Sequence, residues 1–397
     1  MTTQLEYAPV TEGPGADGRY LAGSTGPMDI SSLTIDIQAR GVQMDAPIEQ
    51  RVGGAGPTDL GMLWIDGYRV TAPKAEPGET PYVLRAEDDG YGVYIGSTRL
   101  ASARTQQRPR FYDLTTADGV SYEQIALLHL DSLASTVVQT CAYWGNDDQC
   151  TFCGIGLSLD AGRTIVKKTP EMLAEVAVAA RDLDGAVDAT LTTGSSRGVD
   201  RGARYVAKCG QAVKEASGLP VEIQFEPPLD LNVIDEVGDM GIDSVGIHLE
   251  SFDPAVLARV APAKSRTGME AYFAAWERAV AVFGEGQVST YVILGMGEDP
   301  KTTIEGAKRA IDIGVFPLVV PLRPVAGSLM ADWPSPPREY TEPIYRQVQA
   351  YMALRGMHAG TSKAGCARCQ ACSGLKSLEP ATTAVPLTIG RGPTSLV

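Results

Sequence analysis

Histidine is scarce in this sequence: His129, His248 and His358 are the only three in 397 residues. That argues against a zinc or non-haem iron centre built from several imidazoles. Clustered Lys and Arg are missing as well. The formal net charge is −14, and no basic run is present to meet a phosphate backbone, so nucleic acid is not an expected partner. No apolar stretch approaches the roughly 18 residues of a membrane span. The opening residues MTTQLEYAPV have neither a basic n-region nor an apolar h-region, so no signal peptide is expected. The expectation is a cytoplasmic protein with no membrane partner.

Hydrophobic residues, by contrast, make up 44% of the chain, enough for a large core and for two or three domains. The seven cysteines are placed unevenly. Cys141, Cys150 and Cys153 form one group, Cys366, Cys369 and Cys372 a second, and Cys209 stands alone. A disulfide framework spreads its cysteines across a small secreted chain, whereas tight triplets in a large chain point to metal or iron–sulfur ligation. Cys209 shares a helical stripe with Tyr205 and Val213 and reads as core.

Three domains are expected: an N-terminal α+β or mostly β domain over 1–118, an α/β domain over 119–340, and a C-terminal region over 341–397. In the first, Asp29 to Gly41 suggests a helix, and Met62 to Val70 a hairpin about Asp66-Gly67. A second strand pair flanks Asp88-Asp89-Gly90, and the glycine-rich stretch at 53–57 reads as a loop or a ligand-lining segment. From about residue 130, short apolar runs alternate with amphipathic stretches at roughly 25–30 residue spacing. Strands are expected at Ser135–Thr140, Val187–Thr192, Pro220–Phe225, Ser244–Leu249, Val288–Leu294 and Phe316–Pro321. Helices are expected between them. Six such units predict a partial (β/α)6 TIM-like barrel, with its chemistry at the C-terminal ends of the strands. A further helix is expected over Tyr345 to Arg355, and the last 15 residues read as extended.

The first triplet lies where the first barrel strand ends. Three thiolates can hold three irons of a cubane and leave the fourth open to an amino and a carboxylate group. A closed set of four is the usual electron-transfer design. Glu226 ends the third strand and Arg323 follows the last, so both are candidates for substrate contact. His248 and Glu250 alternate onto one face of the fourth strand. His248 is as well explained by a satisfied core position as by catalysis.

The loop Cys141-Ala-Tyr-Trp-Gly-Asn-Asp-Asp-Gln-Cys150-Thr-Phe152-Cys153 resembles the signature of the radical SAM superfamily. Eight residues separate the first two cysteines here, against the commoner three. The resemblance implies a [4Fe–4S] cluster, S-adenosylmethionine (SAM) as its ligand, and an external one-electron reductant of flavodoxin or ferredoxin type. It also implies SAM contacts. Phe152 takes the aromatic place. Thr193-Gly194-Ser195 stands where the superfamily carries a Gly-Gly-Glu-like turn, without the acid. Glu250-Ser251 falls at the ribose place, Arg266 at the SAM carboxylate with Lys264 as the other choice, and Ile293 and Gly295 beside adenine. The stretches 51–59, 111–119, 139–156 and 365–373 resemble, more narrowly, the radical SAM proteins of bacterial nitrilase gene clusters, some of them linked to cyanide assimilation.

Cys366, Cys369 and Cys372 form Cys-x2-Cys-x2-Cys, a run typical of iron–sulfur sites. They suggest a second, auxiliary [4Fe–4S] cluster acting as sulfur donor, substrate anchor or electron acceptor. His358, an Asp, an exogenous ligand or nothing at all could complete it. The expected activity is reductive SAM cleavage and radical chemistry on a small molecule, of oxidoreductase or transferase type. A non-catalytic zinc or iron–sulfur scaffold is the alternative.

Overall fold

The computed structural model describes residues 28–45 and 60–379. The stretch at 53–57 and the last 15 residues lie outside the described residues.

The Asp29 carboxylate accepts from Ser32 N and starts α1 (Ile30–Arg40), which Gly41 ends at φ +74°. The helix covers a six-stranded sheet. Its order is β1 (Gln43–Met44), β4 (Tyr82–Glu87), β5 (Gly90–Ile95), β6 (Thr98–Thr105), β2 (Leu60–Ile65) and β3 (Tyr68–Pro73). Asp66 and Gly67 both have positive φ, +44° and +88°, as a two-residue turn matched to strand twist requires. Leu33 and Ile37 of α1 pack with Leu63, Val70 and Leu84 in this module's own core.

The second sheet has seven strands in chain order. They are β7 (Leu127–His129), β8 (Ser132–Thr136), β9 (Asp188–Thr192), β10 (Val221–Gln224), β11 (Ser244–Gly246), β12 (Val288–Leu294) and β13 (Val315–Pro321). β8 to β13 run parallel, and β7 pairs antiparallel with β8. Short helices α2 (Tyr122–Ile125) and α3 (Ile155–Asp160) flank the start of the barrel. The crossovers are α4 (Pro170–Asp184), α5 (Ala203–Ser217), α6 (Asn232–Asp239), α7 (Pro254–Val260), α8 (Pro262–Thr267), α9 (Met269–Phe283) and α10 (Pro300–Ile313). Thr169, Asp253 and Asp299 cap α4, α7 and α10, each followed by Pro at the first helical position, where its missing N–H costs nothing.

Alternation sorts each strand into two faces. Val221 and Ile223 pack on Gly210 of α5; Glu222 and Gln224 point the other way, toward Cys366. One cavity of about 110 Å³ touches His129, Thr136, Thr192, Gln224, Tyr291 and Leu318, which belong to β7, β8, β9, β10, β12 and β13. Laid flat, seven strands would span roughly 29 Å. A single small cavity reaches both ends only because the sheet curls into an open barrel.

After β13 the chain runs through α11 (Arg338–Leu354) and turns back to α12 (Cys366–Cys369). That last segment enters the floor of the barrel, at the N-terminal ends of the strands. Gly365 N donates to Asp188, the first residue of β9, at 2.7 Å, and Ser244 Oγ, at the start of β11, donates to Ala364 O at 3.2 Å. From below, Thr71 N of β3 and Gln38 Nε2 of α1 both donate to Ala371 O at 2.9 Å. The C-terminal segment is thus clamped between the two sheets.

The expected first barrel strand, 135–140, in fact spans 132–136, and the antiparallel β7 before it was not expected. α11 begins seven residues earlier than its expected start and carries Pro343 within it.

Candidate metal centres

The first triplet sits at the C-terminal mouth of the barrel, beyond the end of β8. Its loop is fixed by the turn after β9. A Cβ on Gly194 would lie 2.0 Å from Thr140 O, so only glycine fits there. Gly194 N donates to Val138 O at 2.9 Å and Ala142 N to Ser195 O at 2.8 Å. Thr193 Oγ1 turns to Gly194 O. The far end is held by Thr151 N on Val260 O, and by Gln139 Nε2 on Ile155 O at 2.9 Å. Phe152 packs half-buried against the core.

Burial pushes the Cys150 thiol up strongly and Cys153 to about 11, while Lys264 pulls both down. Bare thiols in this setting stay protonated at neutral pH. A bound metal would draw off their protons and take the three sulfurs as thiolate ligands.

Beside these thiols lies a buried ion pair. Lys264 Nζ donates to Glu250 Oε1 at 2.6 Å and to His248 O at 2.7 Å. Burial opposes the lysine's charge, but Glu250 outweighs it and holds the pKa well above the usual value. Glu250 itself has φ +78°, a strained conformation for a residue with a side chain. Its backbone is pinned on both sides by Tyr291 O and Ile293 N. Glu226 accepts from Tyr143 OH at 3.0 Å, and Arg201 donates to that same hydroxyl at 3.0 Å. Tyr143 belongs to the cysteine loop, so the loop and the end of β10 are coupled. Ser251 is buried and accepts from Asp253 N. Ile293 is half-buried two residues beyond Tyr291 on the same face. Gly295, at φ +97°, donates from N to Glu298 and accepts from Trp333 Nε1 at 2.7 Å.

Two basic residues stand elsewhere than expected. Arg266 pairs with Asp148 on the exposed rim and lines an outer groove with Arg197 and Arg201; Lys264 is the cation inside the mouth. Arg323 is buried at the floor, donating to Gln38 O at 3.3 Å and Thr71 O at 3.1 Å. It ties the barrel to the N-terminal module. His248 accepts from Tyr291 N at its Nδ1, and its Nε2 is buried without a partner. Burial, then Lys264, push its pKa well below the usual value and keep the ring neutral.

The second triplet, Cys366, Cys369 and Cys372, lines the cavity inside the barrel. Cys366 Sγ accepts from Tyr291 OH at 3.2 Å and Gln224 Nε2 at 3.3 Å. Cys372 Sγ accepts from Thr71 Oγ1 at 3.5 Å. Burial, then Glu222, push the Cys366 thiol well up. Burial also acts against Cys372, but His129, Arg323 and Thr71 outweigh it and hold that thiol down at about 5. Arg368, inside α12, pairs with Asp188 at 2.6 Å and Asp131 at 2.9 Å. His358 lies elsewhere: its Nδ1 accepts from Gly360 N and caps a short turn. Gln370 also lines the cavity, with both ends of its amide buried and unpartnered. Among the described residues, no three His, Cys, Asp or Glu side chains converge as they would on a single ion.

A family model described as the Radical SAM superfamily matches residues 145–311, a span that includes Cys150 and Cys153. The bacteriochlorophyllide c C-7(1)-hydroxylase of Chlorobaculum limnaeum is 31% identical over 120 residues; the match covers 30% of this chain and 30% of the relative's length. Among solved structures, a radical SAM methyltransferase from Sphaerobacter thermophilus is similar at TM-score 0.43 and 18% identity, over 70% of this chain and 76% of that one. Methylornithine synthase is similar at TM-score 0.43 and 16% identity, over 62% and 72%. The matched span runs from the cysteine loop at the barrel mouth to α10, so the barrel of this chain is similar to that of the radical SAM superfamily. No helix among the described residues is long and apolar enough to cross a membrane.

Proposed function

We propose that this chain is a radical SAM enzyme with two [4Fe–4S] clusters, acting on a small molecule held in the cavity between them. The observation that carries the reading is that cavity. It runs along the barrel interior from Thr136, Gln139 and Thr192 near the first cysteine loop to Cys366, Cys369 and Cys372 at the floor. When bound, the first cluster and SAM would take one electron from an external flavodoxin- or ferredoxin-type donor and yield methionine and a 5′-deoxyadenosyl radical, which abstracts a hydrogen atom from substrate.

The chain's share is placement. Cys141, Cys150 and Cys153 would hold the first cluster and leave one iron open. Lys264 supports a SAM carboxylate contact, and Glu250 a contact to ribose, because both are buried at the mouth and already oriented by each other. Burial there keeps water away from a reactive radical. The unpartnered Gln370 amide supports a substrate that carries its own donors and acceptors, since buried polar groups are rarely left unmet. The cavity also reaches Glu123 and Arg163 at the surface, which supports lateral entry beside β8. The landmarks shared with the radical SAM proteins of nitrilase gene clusters support a setting of that kind.

The test is anaerobic reconstitution with iron and sulfide, followed by SAM and dithionite. We expect 5′-deoxyadenosine from the intact protein and none above background from Cys141→Ala. Equal traces from both, or zinc in place of iron in the purified protein, would leave a scaffold as the reading.

A further inference from the structure

The second triplet offers three sulfurs to a four-cornered cluster. We propose that His129 is the fourth ligand of the auxiliary cluster, so that this cluster is closed by protein on all four irons. The inference rests on the two-cluster reading above and adds a residue that neither the spacing of the cysteines nor the family model points to.

His129 is the last residue of β7, more than two hundred positions before the cysteines, yet its imidazole lies against the Cys369 and Cys372 thiols. It lines the same cavity as all three cysteines. Its Nε2 is buried and has no well-formed hydrogen-bond partner. Buried imidazole nitrogens seldom go without a partner. A metal is the partner that the neighbouring thiols imply.

The surroundings are built to hold the ring there. The β7–β8 turn carries Leu130 at φ +61°, a strained conformation for a branched apolar residue. That strain is locked in from several sides. Leu130 N donates to Gln106 Oε1 at 2.7 Å, and Gln106 Nε2 returns to Leu128 O at 2.8 Å. The Leu130 side chain packs directly with Cys369, Ala371 and Met62. On the other flank, Asp131 is bound by Arg368, from between two of the cysteines, and by Arg69. The residues on both sides of His129's turn are therefore fastened to the cysteine segment. His358, the histidine nearer in sequence, spends its Nδ1 on Gly360 N and does not line the cavity.

A closed set of four protein ligands leaves no iron to chelate substrate. On this assignment Cys366, Cys369, Cys372 and His129 would hold a cluster that supplies one-electron acceptance rather than an open iron for substrate: the substrate radical would give up one electron to it and one proton to solvent, closing a double bond, and the electron would pass on to a flavodoxin- or ferredoxin-type carrier. An imidazole in place of a thiolate also raises a cluster's potential, which suits an acceptor.

The test uses full-length protein carrying Cys141→Ala, Cys150→Ala and Cys153→Ala, so that only the second cluster forms. The protein is grown on ¹⁵N-histidine and reduced, and its electron–nuclear hyperfine spectrum is recorded. We expect about four irons per chain and a histidine nitrogen coupling. His129→Ala should abolish the coupling, and His358→Ala should leave it. His129→Cys should keep four irons, lose the coupling and shift the midpoint potential to a more negative value, which guards against a variant that simply fails to fold. Four irons with no histidine coupling, or with a coupling that survives His129→Ala, would overturn this assignment alone. No iron in the triple variant would overturn the auxiliary cluster itself, and the assignment with it.

Discussion

At the scale of single residues, the mouth of the barrel turns on Lys264. Positions 264 and 266 are two apart on one helix, so their side chains leave it in nearly opposite directions. One faces Glu250 and the cysteines, the other the solvent rim. The sequence shows two basic residues at the expected place but not the rotation of α8, which buries Ala263 and Lys264. We expect Lys264→Met to leave Glu250 buried and unpaired at a cost of about 3–5 kcal/mol, and to lower 5′-deoxyadenosine formation accordingly. Arg266→Ala breaks only an exposed pair worth about 0–1 kcal/mol and should leave both thermal unfolding and SAM cleavage near those of the parent. A reversed ranking in the SAM-cleavage assay would return the carboxylate contact to Arg266.

The same scale shows what sequence reasoning could and could not reach. The cysteine triplets announce themselves by spacing. Glu250 and Glu226 could be placed at strand ends because alternation is local. Arg323 has an equally suggestive position, yet it meets Gln38 O and Thr71 O. Both partners belong to another module, and no local pattern forecasts a docking surface. His129 gave no signal: it ends a three-residue antiparallel strand whose register is fixed by Gln106, Asp131 and Arg368 from distant parts of the chain.

At the scale of elements, the crossovers were largely legible. β12 falls where expected, at Val288–Leu294, because both sides of a barrel strand favour Val, Ile and Leu. Thr169 before Pro170 marks the start of α4, whereas the equivalent Asp253-Pro254 opens α7, a helix that was not expected. β8 was misplaced by about three residues because 137–140 is as apolar and β-branched as a strand but bends toward the cysteine loop, pairing only at an isolated bridge. The element most sensitive to substitution is α12, which is too short to hold itself. Arg368 secures it against Asp188, whose side chain is fully buried. Arg368→Ala should therefore cost about 3–5 kcal/mol, since it strands a buried carboxylate. The expected readout is a lower urea midpoint at neutral pH, together with loss of iron from the second site. A midpoint within experimental error of the parent would show that Asp188 finds another partner.

At the scale of the whole molecule, two sites share one barrel but answer to different neighbours. The first depends on the strand ends and crossovers. The second depends on the N-terminal module through Thr71 and Gln38 and on the C-terminal segment that module clamps. Metal analysis should separate them: about eight irons and eight sulfides in the intact protein, and about four of each when either triplet is changed to alanine. If changing the second triplet emptied the first site as well, the two would form one cooperative unit.

Synthesis runs from the N-terminus, and domains tend to fold in that order. The first ligand set emerges within thirteen consecutive residues, from Cys141 to Cys153. The second triplet emerges only after all seven strands of the barrel sheet, beneath a sheet that has meanwhile curled. A chain that stops short of Cys366 would therefore keep the first triplet but lack the segment that Asp188 and Ser244 hold at the barrel floor, leaving that floor unsealed.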